Sequence, residues 1–258
     1  MGAPIYSPVN LVSRAAAFSA SPEDFSFLAQ NIGDGRVGRV ARLTSATGYW
    51  QVDLGSVQAP SFVAVMGHNL AADAVLRLEW SSSAAVWTPL VNSLLLTVGT
   101  TGETWRTFVP IAARYWRLTV VSGGTSPSLA QVGEWWLGQH VALSGGWAWG
   151  AASGRDAAAV SVRSEHGVAS GYHLADWRVF EGGVRAAMGD GQAAELAALR
   201  SAGRFGAAPI CFAPDSAVSS QVLVGRVRDG GFRHSRIAPG LWSGGEIFIA
   251  EDAFARTG

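Results

Sequence analysis

Two stretches of the chain alternate apolar and polar residues with a period of two, the pattern of a strand with one buried and one solvated face. In Tyr49-Trp50-Gln51-Val52-Asp53-Leu54-Gly55-Ser56-Val57, Trp50, Val52 and Leu54 share a face, and Gly55 is expected to end the strand. In Arg114-Tyr115-Trp116-Arg117-Leu118-Thr119-Val120, the set Tyr115, Arg117 and Thr119 opposes Trp116, Leu118 and Val120. The runs Phe62-Val63-Ala64-Val65 and Gly133-Glu134-Trp135-Trp136-Leu137-Gly138 add further strands, and a β-sandwich follows as the expected fold. The small-residue stretch from Ser144 to Gly154 places a domain boundary near residue 140. Beyond it, strands are expected at about 158–165, 172–181, 208–213, 221–228, 232–237 and 245–250. One helix is predicted over about 190–202, with Asp190 as N-cap, Ala193, Leu196, Ala197, Leu199 and Arg200 at helical spacing, and Gly203 as C-cap. The predicted architecture is mainly β: a sandwich over 1–140 and a β-rich domain with one helix over 141–258.

The order of motifs carries a resemblance. Asn10-Leu11, Asn31-Ile32-Gly33-Asp34-Gly35, the Tyr49–Ser56 stretch, Phe62–Val65 running into Gly67-His68-Asn69-Leu70, and Ala113–Val120 together resemble the discoidin family (coagulation factor 5/8 type C) over roughly residues 8–140. The resemblance implies a galactose-binding-like jelly roll. It also implies that the loop holding Asn31 and Asp34 binds a structural Ca²⁺ through oxygen ligands; the composition Asp34-Gly35 equally suits a plain tight turn. The second half is similar in outline to the tube-forming domains of phage tail proteins, distal tail proteins included. The combination resembles a virion structural protein of a tailed phage. The expectation that follows is a non-enzymatic tail-tip or baseplate component, in a symmetric ring of its own copies with other tail proteins. The alternative is a carbohydrate-binding module that recognises a host-surface glycan.

Composition narrows the remaining classes. In 258 residues, 48% are hydrophobic and 15% charged, enough to bury substantial cores. Basic and acidic residues balance at 19 each, so no overall field recruits nucleic acid. Every basic residue other than His is Arg; this fits a GC-rich genome or the use of guanidinium groups for bidentate contacts. No signal peptide or apolar run long enough to cross a bilayer is visible, so synthesis in the host cytoplasm and residence in the virion, without membrane insertion, are expected. The single Cys211 sits in an apolar run and reads as a small buried hydrophobe.

Catalytic signatures are missing from the sequence. His68, His140, His166, His173 and His234 are scattered without metal-ligand spacing, and neither a nucleophile elbow nor a Walker loop is present. No cofactor beyond the Ca²⁺ is expected. His68 and Asn69 read as residues capping a strand exit or as ligand contacts. Trp135 and Trp136 are adjacent in a strand and must point to opposite faces, while Trp147 and Trp149, two apart, share one. These four are the expected contact residues, either between domains or between subunits. For a bound sugar the candidates are Trp80, Trp87 and Trp105, placed near loop ends, together with His68.

Overall fold

A computed structural model of the chain describes residues 3–84, 87, 93–98, 102–122, 129–144, 152–163, 169–183, 187–188, 190–203, 208–218, 221–227, 236–239, 241–243 and 246–251. The chain is a mainly β protein that divides into two units, Met1–Ala142 with Ile210–Val222, and Leu143–Pro209 with Leu223–Gly258. The first unit thus recruits a late segment, residues 210–222, that the sequence pattern assigned to the second domain.

The first unit contains β1 (Ile5–Ser7), β2 (Ala17–Ser21), β3 (Ala41–Arg42), β4 (Gly48–Gln58), β5 (Phe62–Met66), β6 (Val75–Ser81), β7 (Ser93–Leu96), β8 (Glu103–Thr107), β9 (Ala113–Ser122), β10 (Gln131–Val132), β11 (Glu134–Gly138) and β12 (Val141–Ala142). Five of them form an antiparallel sheet in the order β2-β4-β9-β6-β7, and three form a second in the order β11-β5-β8. Register follows the alternation: Trp50 opposes Leu118, Val52 opposes Trp116, and Leu118 and Trp116 in turn oppose Leu78 and Trp80. These residues give the five-stranded sheet its apolar face. It packs on Val63, Val65, Trp135 and Leu137 of the three-stranded sheet, forming one core in which Trp50, Trp116 and Trp135 are fully buried. Truncating any of the three indoles to Ala is expected to cost about 3–5 kcal/mol.

Gly55 does not end its strand. It takes φ +75° inside β4 where the pairing with β9 shifts register between Asp53 and Gln58, and the strand continues to Gln58.

Strands β5 and β11 of the three-stranded sheet are buried on both faces, which is why they read as largely apolar runs without alternation. Trp135 and Trp136 do point to opposite sides, yet both are buried. On the side away from the core, Trp136 Nε1 donates to Ser7 Oγ at 3.0 Å, and Trp105 Nε1 donates to the Val218 carbonyl at 3.0 Å. β1 pairs with β12 and with β16 (Ile210–Ala213), Tyr6 opposing both Val141 and Phe212. The returning segment 210–218 therefore roofs a face that would otherwise expose tryptophan. Cys211 is fully buried within it.

In the second unit, β13 (Ala152–Arg163) and β14 (Ala169–Gly183) form a long antiparallel hairpin with a register shift between Ala158 and Ala159. β14 also pairs with β20 (Glu246–Glu251), which pairs with β17 (Leu223–Val227). β15 (Ala187–Met188), β18 (Arg236–Ala238) and β19 (Leu241–Ser243) form a small sheet. The helix α1 spans Asp190–Ala202, buries Ala193, Leu196 and Leu199, and ends where the Gly203 amide donates to the Leu199 carbonyl at 3.0 Å. Ala197 is exposed. The strand expected at 232–237 begins only at Arg236 in the described residues.

Candidate functional site

The outer face of the five-stranded sheet is polar by the same alternation that makes its inner face apolar. Two cross-strand rows dominate it: Ser19, Gln51, Arg117 and Glu79, then Ser21, Tyr49, Thr119 and Arg77. Arg117 stands at the centre. Its guanidinium lies over the Tyr49 ring at 4.0 Å and over the Trp87 ring at 3.9 Å, and its Nη2 donates to Gln51 Oε1 at 2.9 Å. Trp87 comes from the segment between β6 and β7 and is itself held by an Nε1 bond to the Ala84 carbonyl at 2.9 Å.

The groups beside this stack are also fixed. Glu79, only 3% exposed, accepts a hydrogen bond from the Thr119 hydroxyl at 2.5 Å and lies 3.9 Å from Arg77. At the next row Arg114 forks onto Asp53 with two bonds of 2.7 Å, which holds the Asp53 carboxyl below its usual range. Burial lowers the Arg117 pKa, opposed by the Tyr49 hydroxyl and Glu79. The result is a half-buried platform of two aromatic rings, a guanidinium, a carboxamide, a hydroxyl and a carboxylate, each braced by its neighbours.

A second cluster lies at the loop between the helical turn Ala29–Gly33 and β3. Glu134, 1% exposed, accepts from Asn10 Nδ2 at 2.7 Å and from the Gly35 amide at 3.0 Å. Desolvation pushes its carboxyl well above the ordinary range, the Gly35 amide resists, and Asp34 adds like-charge repulsion. Asp34 is also raised by desolvation, against the Arg36 amide and Arg39. Asn31 Nδ2 donates to the Val40 carbonyl at 3.0 Å, but its buried Oδ1 has no partner. Desolvated carboxyls and an unpartnered amide oxygen are the hard-oxygen chemistry that a Ca²⁺-type ion takes. Among the described residues no group of three or more His, Cys, Asp or Glu that could hold a metal ion comes together. Glu134 was not anticipated, because in sequence it is one residue of an apolar strand.

The other expected site residues fall elsewhere. Trp105 is 5% exposed and stacks on Phe62 with ring centroids 5.8 Å apart. Trp80 is on the inner face against Trp116, at 5.9 Å. His68 is buried and neither ring nitrogen has a partner, while Asn69 does cap backbone, bonding the Leu129 carbonyl at 2.9 Å and the Gln131 amide at 3.0 Å. Of the four sugar candidates only Trp87 meets the polar face. Trp135 and Trp136, expected as contacts between domains or between subunits, are interior to the first unit, since both faces of β11 are covered; Trp147 and Trp149 lie outside the described residues. Sequence reasoning put Arg117 and Thr119 on the solvated face but offered no way to see that Trp87 meets Arg117 there.

No protein-family model matches the sequence. No curated protein matches it either. Among solved structures the chain is similar to the lectin domain of lectinolysin complexed with Lewis b antigen, at 17% identity over 51% of this chain and 97% of that one, with a TM-score of 0.41. It is similar to a chitosan-binding module from a Paenibacillus chitosanase/glucanase at 23% identity over 50% and 98% of the two chains, TM-score 0.41. A fucose-binding module of Streptococcus pneumoniae matches at 14% identity over 51% and 95%, again with a TM-score of 0.41.

Proposed function

We propose that the first unit is a non-catalytic carbohydrate-binding module whose ligand lies on the outer face of the five-stranded sheet, against Trp87 and Tyr49. The observation that carries this reading is the stack itself: Arg117 fixed between the two rings at 4.0 and 3.9 Å, with Gln51 on its fork. A pyranose offers C–H groups on its faces and hydroxyls at its rim. Aromatic rings take the first through apolar contact, and braced donors and acceptors take the second. Because Gln51, Arg117, Thr119 and Glu79 already hold one another, a sugar meeting them orders few free rotamers, and the entropy cost of binding falls.

A structural Ca²⁺ belongs to the same proposal. Asn31, Asp34 and Glu134 would hold it, and when bound it supplies positive charge that relieves the repulsion between the two carboxyls. Asn10 would keep Glu134 oriented, since one side chain bonds the Glu134 carboxyl, the Trp135 carbonyl and the Val12 and Leu137 amides.

The expectation of a ring-forming tail-tip component rested its contacts on tryptophans of which Trp135 and Trp136 are now accounted for inside the unit. The Tyr49–Arg117–Trp87 stack supports sugar binding as the reading to test. Titration of the full chain with a panel of oligosaccharides, followed by tryptophan fluorescence, tests it. At least one saccharide is expected to bind, with W87A weakening it tenfold or more and leaving the circular dichroism spectrum unchanged. Equal binding by W87A, or no binding to any saccharide, overturns it.

A further inference from the structure

Charge on the proposed face does not balance. Its two central rows carry the cations Arg77 and Arg117 against the single anion Glu79. Asp53 adds nothing, since Arg114 occupies both its oxygens. Glu79 opposes Arg117 across the β6–β9 pair, yet its carboxylate turns to the Thr119 hydroxyl and towards Arg77. Among the described residues Arg117 reaches no carboxylate within ion-pair distance; it meets one carboxamide oxygen and two rings. The Nε–H groups of Arg77 and Arg117 are both buried without an acceptor. The two central rows therefore hold two partly desolvated guanidiniums and one carboxylate, and that carboxylate lies near Arg77 rather than Arg117.

We infer that this face selects saccharides carrying a carboxylate, that is, hexuronic acids; the inference rests on the sugar-binding reading above. A guanidinium fork matches a carboxylate in plane and spacing, and a charge-assisted pair of this kind is about twice as strong as a neutral hydrogen bond. Partial burial weakens the competing hydration of Arg117, so an incoming carboxylate regains more here than at an exposed arginine. A neutral sugar would find the same rings but leave the extra cation unpaired.

The test is calorimetric titration of the full chain with three oligosaccharides of equal length: an oligogalacturonate, a neutral galacto-oligosaccharide and a sulfated galactan fragment. The galacturonate is expected to bind at least tenfold tighter than the neutral sugar at 50 mM NaCl, with the gap narrowing at 500 mM as salt screens the charge. In R117Q the gap should close through loss of galacturonate affinity, and R77Q should narrow it in part. The salt series on the unaltered protein decides the matter even if R117Q fails to fold. Equal affinity for galacturonate and neutral sugar overturns the inference and leaves sugar binding standing. Preference for the sulfated fragment alone overturns the carboxylate assignment. Binding of none of the three overturns the inference, and extension to the wider saccharide panel then decides the sugar-binding reading separately.

Discussion

Acidification from pH 7.5 towards pH 4 should destabilise this protein through His68. The residue follows β5 at a turn where Gly67 takes φ +67°, and its own amide donates to the Gly102 carbonyl at 3.1 Å. Its ring is 6% exposed, and neither nitrogen has a hydrogen-bond partner. Burial lowers its pKa from 6.5 to about 4, against a smaller opposing pull from the Glu103 backbone. Between those two values the unfolded chain binds the proton and the folded chain does not, so stability falls as pH drops below about 6.5 and levels off near 4. The fall from 6.5 to about 4 corresponds to about 3 kcal/mol in full, of which about 2 kcal/mol is lost already at pH 5. Glu134 acts in the opposite sense. Its raised pKa gives stability that is present at low pH and lost as pH rises through the folded value. The difference between unaltered protein and H68L isolates His68 from that background. Leu replaces a buried imidazole without partners by an apolar group, so H68L should be at least as stable at pH 7.5 and about 2 kcal/mol more stable than the unaltered protein at pH 5. Urea unfolding followed by tryptophan fluorescence reads this, and the histidine NMR signal missing in H68L should titrate near 4. The reasoning is refuted if H68L keeps the full acid slope, or if that signal titrates near 6.5.

Calcium should raise the melting temperature of the unaltered protein and chelator should lower it, with E134Q abolishing the response; an equal calcium shift in E134Q contradicts the donor set. S7A should cost about 1–3 kcal/mol, because it leaves the buried Trp136 Nε1 without its acceptor, and denaturant titration at pH 7.5 measures it. N10A should cost about 2–4 kcal/mol, since it strips partners from Glu134, Trp135, Val12 and Leu137 together; a loss below about 0.5 kcal/mol would show that these groups find other partners. G133A should fail to fold or lose the loop around Val37, as a Cβ there would stand 1.9 Å from the Val37 carbonyl oxygen, and limited proteolysis of that loop would report it.

Local pattern carried much of the sandwich. Alternation in β4 and β9 assigned Trp50, Val52, Trp116 and Leu118 inward and Arg117 and Thr119 outward, because a pleated strand leaves no other choice. The helix was equally legible from Ala193, Leu196, Leu199 and Gly203. What escaped was non-local. The return of residues 210–218 to roof the second face of β5 and β11 is written in no single window; its trace is that both strands are largely apolar without alternation, which signals burial on two sides. For the same reason Trp135 and Trp136 read as contacts between domains or subunits when period two was applied with only one core in view. The site was half legible. Period two exposed Arg117, but Trp87 arrives from a connection with no periodicity, and Glu134 and Asn10 find each other across 124 positions.

The central claim is that the outer face of the five-stranded sheet binds saccharide at Trp87. The most direct test is a glycan array probed in parallel with the unaltered chain and W87A. The account predicts a defined set of bound glycans, uronate-bearing ones among the strongest, with their signals lost in W87A. Retention of those signals by W87A, or an array with no bound glycan, would contradict it.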